Sequence, residues 1–323
     1  MYRTERYTAD YFDLWNGFVA NSKNGTFLFH RNFMEYHADR FADYSLLVFQ
    51  ENKLVALLPA HTEGNVLASH RGLTYGGLIL GNNIRQAEVI GILKSIMQYC
   101  EATGFEKIFI KVIPFIYHKV PAQELEYALF VAGAKTVRRD SLSVIENVTA
   151  LRPVKSRREA INKSFRSGLE LKEDDDLELF WERILLPNLE NKHGIKPVHS
   201  VEEIRMLKER FPDNIRHFNV YHNNEIVAGT TVFITDTVAH PQYISGNSQK
   251  NTLNSLDFLY YQLIWEIFPD KKFFDFGISN EQQGMKLNEG LVFWKESYGA
   301  RTIVHDFYEL NAANHHLLDN VLI

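Results

Sequence analysis

The stretch Gly299-Ala300-Arg301-Thr302-Ile303-Val304-His305-Asp306, near the end of the chain, repeats Gly133-Ala134-Lys135-Thr136-Val137-Arg138-Arg139-Asp140 near its middle. The two lie 166 residues apart, and nearly the same offset relates Gly104-Phe105-Glu106-Lys107-Ile108-Phe109-Ile110 to Phe268-Pro269-Asp270-Lys271-Lys272-Phe273-Phe274. A third pair, Asn52-Lys53-Leu54-Val55-Ala56 and Asn224-Glu225-Ile226-Val227-Ala228, follows in the same order at an offset of 172. Three matches in one order indicate two copies of one domain.

The length of 323 residues suits two copies, since domains run to roughly 100 to 200 residues each. The expected layout is a first domain over 1–150, a basic helical connector over 151–175, a second domain over 176–310 and a tail over 311–323 that packs on the first domain or on a partner. Apolar residues make up 45% and charged residues 23%, which argues for a globular chain and against disorder. No uncharged apolar run reaches the ~18 residues that a membrane crossing needs. The start, Met1-Tyr2-Arg3-Thr4-Glu5-Arg6, leads to Asp10 and Asp13 rather than an apolar core, so no export signal is read and a cytoplasmic location is expected. Cys100, the single cysteine, follows Ile96-Met97-Gln98-Tyr99 and reads as a buried structural thiol. A net charge of −5 gives no global attraction to nucleic acid; DNA is not expected as a partner, and a local basic patch stays open.

Each copy reads as α+β: a strand hairpin, a loop, one amphipathic helix, a strand and a last strand pair, in mixed and mostly antiparallel sheets. The hairpins are Tyr44–Phe49 with Leu54–Pro59, and His217–Tyr221 with Ile226–Gly229. The helices run from about Gln86 to Thr103, stopped by Gly104, and from about Ser255 to Phe268, stopped by Pro269.

This order resembles the GNAT acyltransferase plan, and two such units joined by a basic segment resemble the FemABX aminoacyltransferases and the related bacterial FemAB-like acetyltransferases. The carriers are Ser69–Leu78 (SHRGLTYGGL), Arg157–Lys163 (RREAINK), Lys196–Ser200 (KPVHS), His240–Ile244 (HPQYI), Phe274–Ser279 (FDFGIS) and Leu291–Gly299 (LVFWKESYG). The helical-hairpin insert of some members is absent, which places the chain with the shorter ones. The resemblance implies two tandem GNAT-like domains, the second holding an activated acyl donor and the first helping to hold the acceptor in the cleft. The donor is acetyl-CoA or another acyl-CoA, or alternatively aminoacyl-tRNA. The acceptor is an amine on a small-molecule or nucleotide-linked cell-envelope or polysaccharide precursor.

GNAT enzymes grip the donor pyrophosphate with Gln/Arg-x-x-Gly-x-Gly/Ala at a helix N-terminus, and copy two has Gln249-Lys250-Asn251-Thr252-Leu253-Asn254 there, followed by Ser255. Thr252 and Asn254 replace the small residues that let phosphate approach the backbone, so the slot is either a cofactor-binding loop or a plain polar one. Copy one lacks the spacing, and no donor is expected in it.

By the same resemblance Lys295, in Phe293-Trp294-Lys295-Glu296-Ser297-Tyr298-Gly299, lies near the acyl-transfer centre, where an ammonium stabilises the carbonyl oxyanion. The other reading is a surface strand lysine paired with Glu296 or Glu289. His240, Asp275 and Glu281 are candidates for the base that deprotonates the amine. Asp275, between Phe274 and Phe276, reads equally as a cap for the Gly277-Ile278-Ser279 turn, and His240 as a structural histidine.

His70, Arg71, Tyr75, His199, Gln242, Tyr243, Ser279, Asn280 and Asn288 are the candidate substrate-binding residues. For Arg71 the choice is between an oxyanion clamp and a solvent-facing side chain; for the loop after Ser279, between ligand contacts and a solvated turn. The cations Arg152, Lys155, Arg157, Arg158, Lys163 and Arg166 contact phosphate, of a sugar nucleotide or of tRNA, or form a solvated helix face. The acids Glu173–Asp176 suit the start of a helix. His193 and His199, six apart around Pro197, share no helix face, and no metal is expected. Zinc-protease, serine-hydrolase, Walker and dinucleotide motifs are all missing.

These readings converge on an N-acyltransferase. Two alternatives stand beside it: a FemX-like, aminoacyl-tRNA-dependent aminoacyltransferase of peptidoglycan bridges, and a ligand-binding protein that kept the fold without catalysis.

Overall fold

A computed structural model describes residues 1–147, 152–174, 176–193 and 197–323. Lys196 and Asp175 therefore lie outside the described residues. The chain divides into two compact units: Met1–Ser141, Asn280–Lys286 and Val304–Ile323 form one, and Leu142–Ser279 with Leu287–Ile303 the other.

In unit 1 the expected hairpin is the strand pair Leu46–Gln50 and Lys53–Leu58, flanked by Tyr2–Arg6 and Ile79–Leu80. Glu51 takes the left-handed backbone of the tight turn, at φ 54°. The helix spans Gln86–Ala102, and its Val89, Ile92, Leu93, Ile96, Met97 and Cys100 enter a core with Leu46, Val48, Ile108 and Ile110. Apolar residues three and four apart make this stripe. Gly104, at φ 89°, turns the chain out of the helix. Burial pushes the Cys100 thiol up to about 12, which leaves it an inert packing group. The tail helix Ala312–Leu318 buries Ala312 and Leu318 in this same core.

Unit 2 repeats the pattern. Its hairpin is Ile215–His222 with Glu225–Ile234, followed by Val238–Gly246, the helical segments Ser255–Tyr261 and Gln262–Ile267, and the strand Phe273–Ile278. The second of these segments is wound as a π-helix. Phe258, Leu259, Leu263 and Ile264 from them pack on Phe218, Val220, Val232 and Phe274. In the connector helix Lys155–Ser164, Ile161 and Ser164 are buried, while Lys155, Arg158 and Lys163 are exposed. Arg157 instead turns inward, in an ion pair with Asp257 and 2.9 Å from Ser297 Oγ.

Among the described residues, strands pair in parallel at Val66–Ala68 on Lys107–Lys111 in unit 1 and at Val238–Gly246 on Phe273–Ile278 in unit 2. The repeated strands Lys135–Glu146 and Arg301–Asn311 both change unit along their length, after Ser141 and after Ile303. Among the described residues no helix is long and apolar enough to cross a membrane.

Candidate functional site

The parallel contact in unit 2 is short: only Val238 with Phe273 and Ala239 with Phe274 are in register. Beyond it the strands part, and a register shift between Thr231 and Val232 leaves Gln242 as the extra residue of the Val238–Gly246 strand. Strands that part leave peptide groups without sheet partners, and each must find another one.

Side chains singled out from the sequence take that role. His240 Nδ1 lies 2.9 Å from the carbonyl oxygen of Asp275. Asp275, 1% exposed, accepts the Gly277 N–H at Oδ1 over 2.7 Å, and its Oδ2 is 3.5 Å from His240 Nδ1. Lys295 donates from Nζ to the carbonyls of Gly277 and Ile278, at 2.9 and 2.7 Å. It is 4% exposed and belongs to the helix Glu289–Glu296, capped by Asn288 Oδ1 on the Leu291 N–H. The reading of Lys295 as a surface strand lysine is thereby corrected. Burial pushes its ammonium down to about 8, against the pull of Asp275.

A carbonyl oxygen only accepts, so His240 Nδ1 carries a proton, and in the neutral ring Nε2 holds the lone pair. Among the described residues no hydrogen bond engages Nε2. Ser279 Oγ and Gln242 Oε1 are buried polar atoms without a partner among the described residues. Such atoms carry a desolvation cost that a ligand can remove.

Further along the Val238–Gly246 strand, the Tyr243 hydroxyl meets the backbone N–H and Nδ1 of His199 at 3.1 and 2.6 Å. Burial raises this phenol to about 12. Trp181, missed in the sequence, stands edge-on to Tyr243 at 5.0 Å, and its indole Nε1 is buried without a partner among the described residues. The one available signal was its place in an apolar helix beside the acidic run. Of that run, Asp176 caps the Leu179 N–H and Glu173 binds Arg216.

At the donor slot, Lys250–Leu253 is a short helix and Asn254 is left-handed at φ 54°. The amides of Gln249, Lys250, Leu253 and Asn254 already bond Asn247 Oδ1, Asn247 O, Gln249 O and Lys250 O. A pyrophosphate cradle needs free amides, and in this slot those of Asn251 and Thr252 have no acceptor among the described residues. Asn254 Nδ2 and Ser255 Oγ are its buried atoms without partners among the described residues. Asn251 and Thr252 are exposed.

The candidates of copy one lie in unit 1. Tyr75 is 1% exposed, with its hydroxyl on Thr26 Oγ1 and its ring against Phe29 and Tyr117. It packs as a core residue. His70, left-handed at φ 27°, sits among His37, His61 and Phe41. Burial first, then its two histidine neighbours, push its ring down to about 2 and keep it neutral. Arg71 pairs with Glu63 at 2.8 Å and lies over the Phe109 ring. Asn280 also belongs to unit 1, where it accepts the Ser141 N–H.

The corresponding opening in unit 1 is stitched shut. Past Ala68 the Ser69 N–H bonds Phe109 O, Ser69 Oγ accepts the Lys111 N–H, and the Gly76 N–H bonds Lys111 O. A Cβ on Gly76 would meet Ser69 O at 2.7 Å, so only glycine fits this stitch. Among the described residues no group of three or more His, Cys, Asp or Glu is placed to hold a metal ion.

No protein-family model matches the chain, and no curated protein matches it in sequence. Among solved structures it is similar to FemX, at 10% identity and a TM-score of 0.67, with 99% of each chain covered. It is similar also to the C-terminal domain of a putative lysylphosphatidylglycerol synthetase from Agrobacterium fabrum, at 10% identity and a TM-score of 0.57, over 85% of this chain and 86% of that one. A tandem GNAT protein from the clavulanic acid biosynthesis pathway matches at 12% identity and a TM-score of 0.50, over 97% and 99%. The chain thus has the FemAB-like tandem GNAT fold, an α+β architecture.

Proposed function

We propose that the chain is an N-acyltransferase whose chemistry takes place where the strands part in unit 2. The observation that carries this reading is His240, with Nδ1 held by the Asp275 carbonyl and Nε2 left with a lone pair. In the proposed step the amine attacks the acyl carbonyl carbon, and the new C–N bond replaces the bond to the donor's carrier. His240 Nε2 takes the proton that the amine nitrogen loses. Asp275 and Lys295 act as positioning residues: they hold Gly277 and the end of its strand against the His240 ring. The hydroxyl of Ser279 is the proposed donor to the carbonyl oxygen as it gains charge.

Thr252 and Asn254, in place of the small residues that let a pyrophosphate approach the backbone, favour an aminoacyl ester, as on aminoacyl-tRNA, over acyl-CoA as the donor. The likeness in fold to FemX and to a lysylphosphatidylglycerol synthetase domain, the second named for an aminoacylated membrane lipid, supports a cell-envelope acceptor.

The test is label transfer to nucleotide-linked amino sugars, with acetyl-CoA and charged tRNA as alternative donors, beside thermal-shift binding of the same compounds. Transfer from charged tRNA alone supports this donor reading. Transfer from acetyl-CoA reverses it. Stabilisation without transfer from either donor favours the non-catalytic binding protein.

A further inference from the structure

The sheet of unit 1 has a second face. Along Lys107–Lys111, Ile108 and Ile110 enter the core while Lys107, Phe109 and Lys111 alternate to the opposite side. Phe307 and Glu309, on the neighbouring strand, stand across from Lys111 and Phe109. This face carries a cavity of about 380 Å³ whose lining includes Arg71, Lys111, Arg138, Phe109, Phe307 and Gln283.

Its charges do not balance. Arg71 lies 4.2 Å over the Phe109 ring and Arg138 4.6 Å over the Phe307 ring. Each guanidinium has a carboxylate on one side: Glu63 is 2.8 Å from Arg71 Nε, and Asp140 accepts from Arg138 Nε at 2.9 and 3.1 Å and from Nη2 at 2.7 Å. Glu309, also at the cavity, is answered by Lys107 at 2.9 Å. Lys111 Nζ donates to the carbonyl of Leu73 and lies 5.8 Å from the centre of the Phe307 ring, and among the described residues it has no carboxylate in ion-pair contact. Among the described residues Arg71 Nη1 and Nη2 and Arg138 Nη1 have no acceptor. A desolvated ammonium without a counter-ion is costly, and burial together with Arg138 and Arg71 pushes Lys111 down to about 8, against Asp140.

We propose that this cavity binds a phosphate group, with Lys111 supplying the uncompensated charge and Arg71 and Arg138 the remaining N–H donors. One guanidinium satisfies a planar carboxylate with two parallel bonds; three cations from separate strands and loops around one cavity suit a tetrahedral oxyanion of higher charge. Only the further step, that this phosphate belongs to the carrier of the amine acceptor, rests on the acyltransferase reading.

The test is isothermal titration calorimetry of the full chain with inorganic phosphate, inorganic pyrophosphate and, as the carboxylate arm, sodium acetate, all at one low ionic strength. Arg71→Gln, Lys111→Met and the exposed control Lys53→Gln are titrated beside the parent. Arg71 is half-exposed, so its variant folds; far-UV circular dichroism checks each protein. Saturable binding of phosphate or pyrophosphate is expected, about tenfold or more weaker in Arg71→Gln and Lys111→Met and unchanged in Lys53→Gln. No saturable binding, equal weakening in all three variants, or acetate binding as tight as phosphate would overturn the proposal. The assay contains no acyl donor, so its outcome is independent of whether the chain transfers an acyl group.

Discussion

His240 and Asp275 are joined twice over where the strands of unit 2 separate: the ring Nδ1 is 2.9 Å from the Asp275 carbonyl oxygen and 3.5 Å from its carboxylate Oδ2. The first contact satisfies a backbone acceptor that the sheet has abandoned, and the same contact fixes which ring nitrogen carries the proton. Structural and chemical roles therefore coincide in one bond. His240→Asn separates them, because an asparagine amide keeps a donor for the carbonyl and loses the base. With a transferase assay in hand, kcat is expected to fall by roughly 10²- to 10⁴-fold with KM little changed. A kcat within about twofold of the parent would remove His240 from the chemistry.

Gly277 connects this pair to the turn that follows. Its φ is +73°, and a Cβ there would stand 3.2 Å from His240 Cε1. Gly277→Ala is expected to lower stability by about 1–2 kcal/mol, the cost of a left-handed residue with a side chain, seen as a lower urea midpoint at constant m. Activity should fall further than stability accounts for, because the added methyl displaces the ring. Full activity in the folded variant would mean that the ring's position is not critical.

Lys295 gives a pH signature. Its ammonium is pushed down to about 8 from an ordinary 10.5, chiefly by burial. Below about pH 8 the folded and unfolded chains both hold the proton, and the cost of burying the charge is present in full. Between about 8 and 10.5 only the unfolded chain holds it, so raising the pH through this window favours the fold. Against Lys295→Met, the parent should gain stability across the window by on the order of 3 kcal/mol at most. Lys111 titrates in both proteins and cancels. A difference that is flat, or that falls with pH, would show that burial does not disfavour the charge at Lys295.

The duplication and the element order were legible because each rests on local pattern. Glu51 and Asn52 mark one hairpin turn, Asn223 and Asn224 the other, and the apolar stripe from Val89 to Cys100 marks its helix. The placement of Lys295 was not legible. Its burial depends on two carbonyls, at Gly277 and Ile278, that only the folded chain brings to it. The burial of Tyr75 was not legible for a related reason: the fold closes that stretch with bonds of Ser69 and Gly76 to Lys111, distant in sequence. The repeat showed that Gly133–Asp140 and Gly299–Asp306 are equivalent. It carried no sign that each strand passes from one unit to the other, since both copies have the same alternation.

Arg157 separates the structural from the exposed cations of the connector. Its guanidinium pairs with Asp257, bonds Ser297 Oγ at 2.9 Å and lies 4.7 Å from the centre of the Tyr298 ring. Asp257 also accepts the Tyr298 hydroxyl at 3.2 Å. Removing the cation alone leaves a largely buried carboxylate with one neutral donor, so Arg157→Met is expected to cost about 3 kcal/mol or more in urea unfolding. Arg157→Met with Asp257→Leu should recover most of that loss, because the uncompensated charge is then gone and apolar groups fill its place. Arg158→Gln, one position along on the exposed side of the same helix, should change stability by less than about 0.5 kcal/mol. A double variant no more stable than Arg157→Met would mean that packing of the guanidinium against Tyr298, rather than the charge on Asp257, holds the connector helix in place.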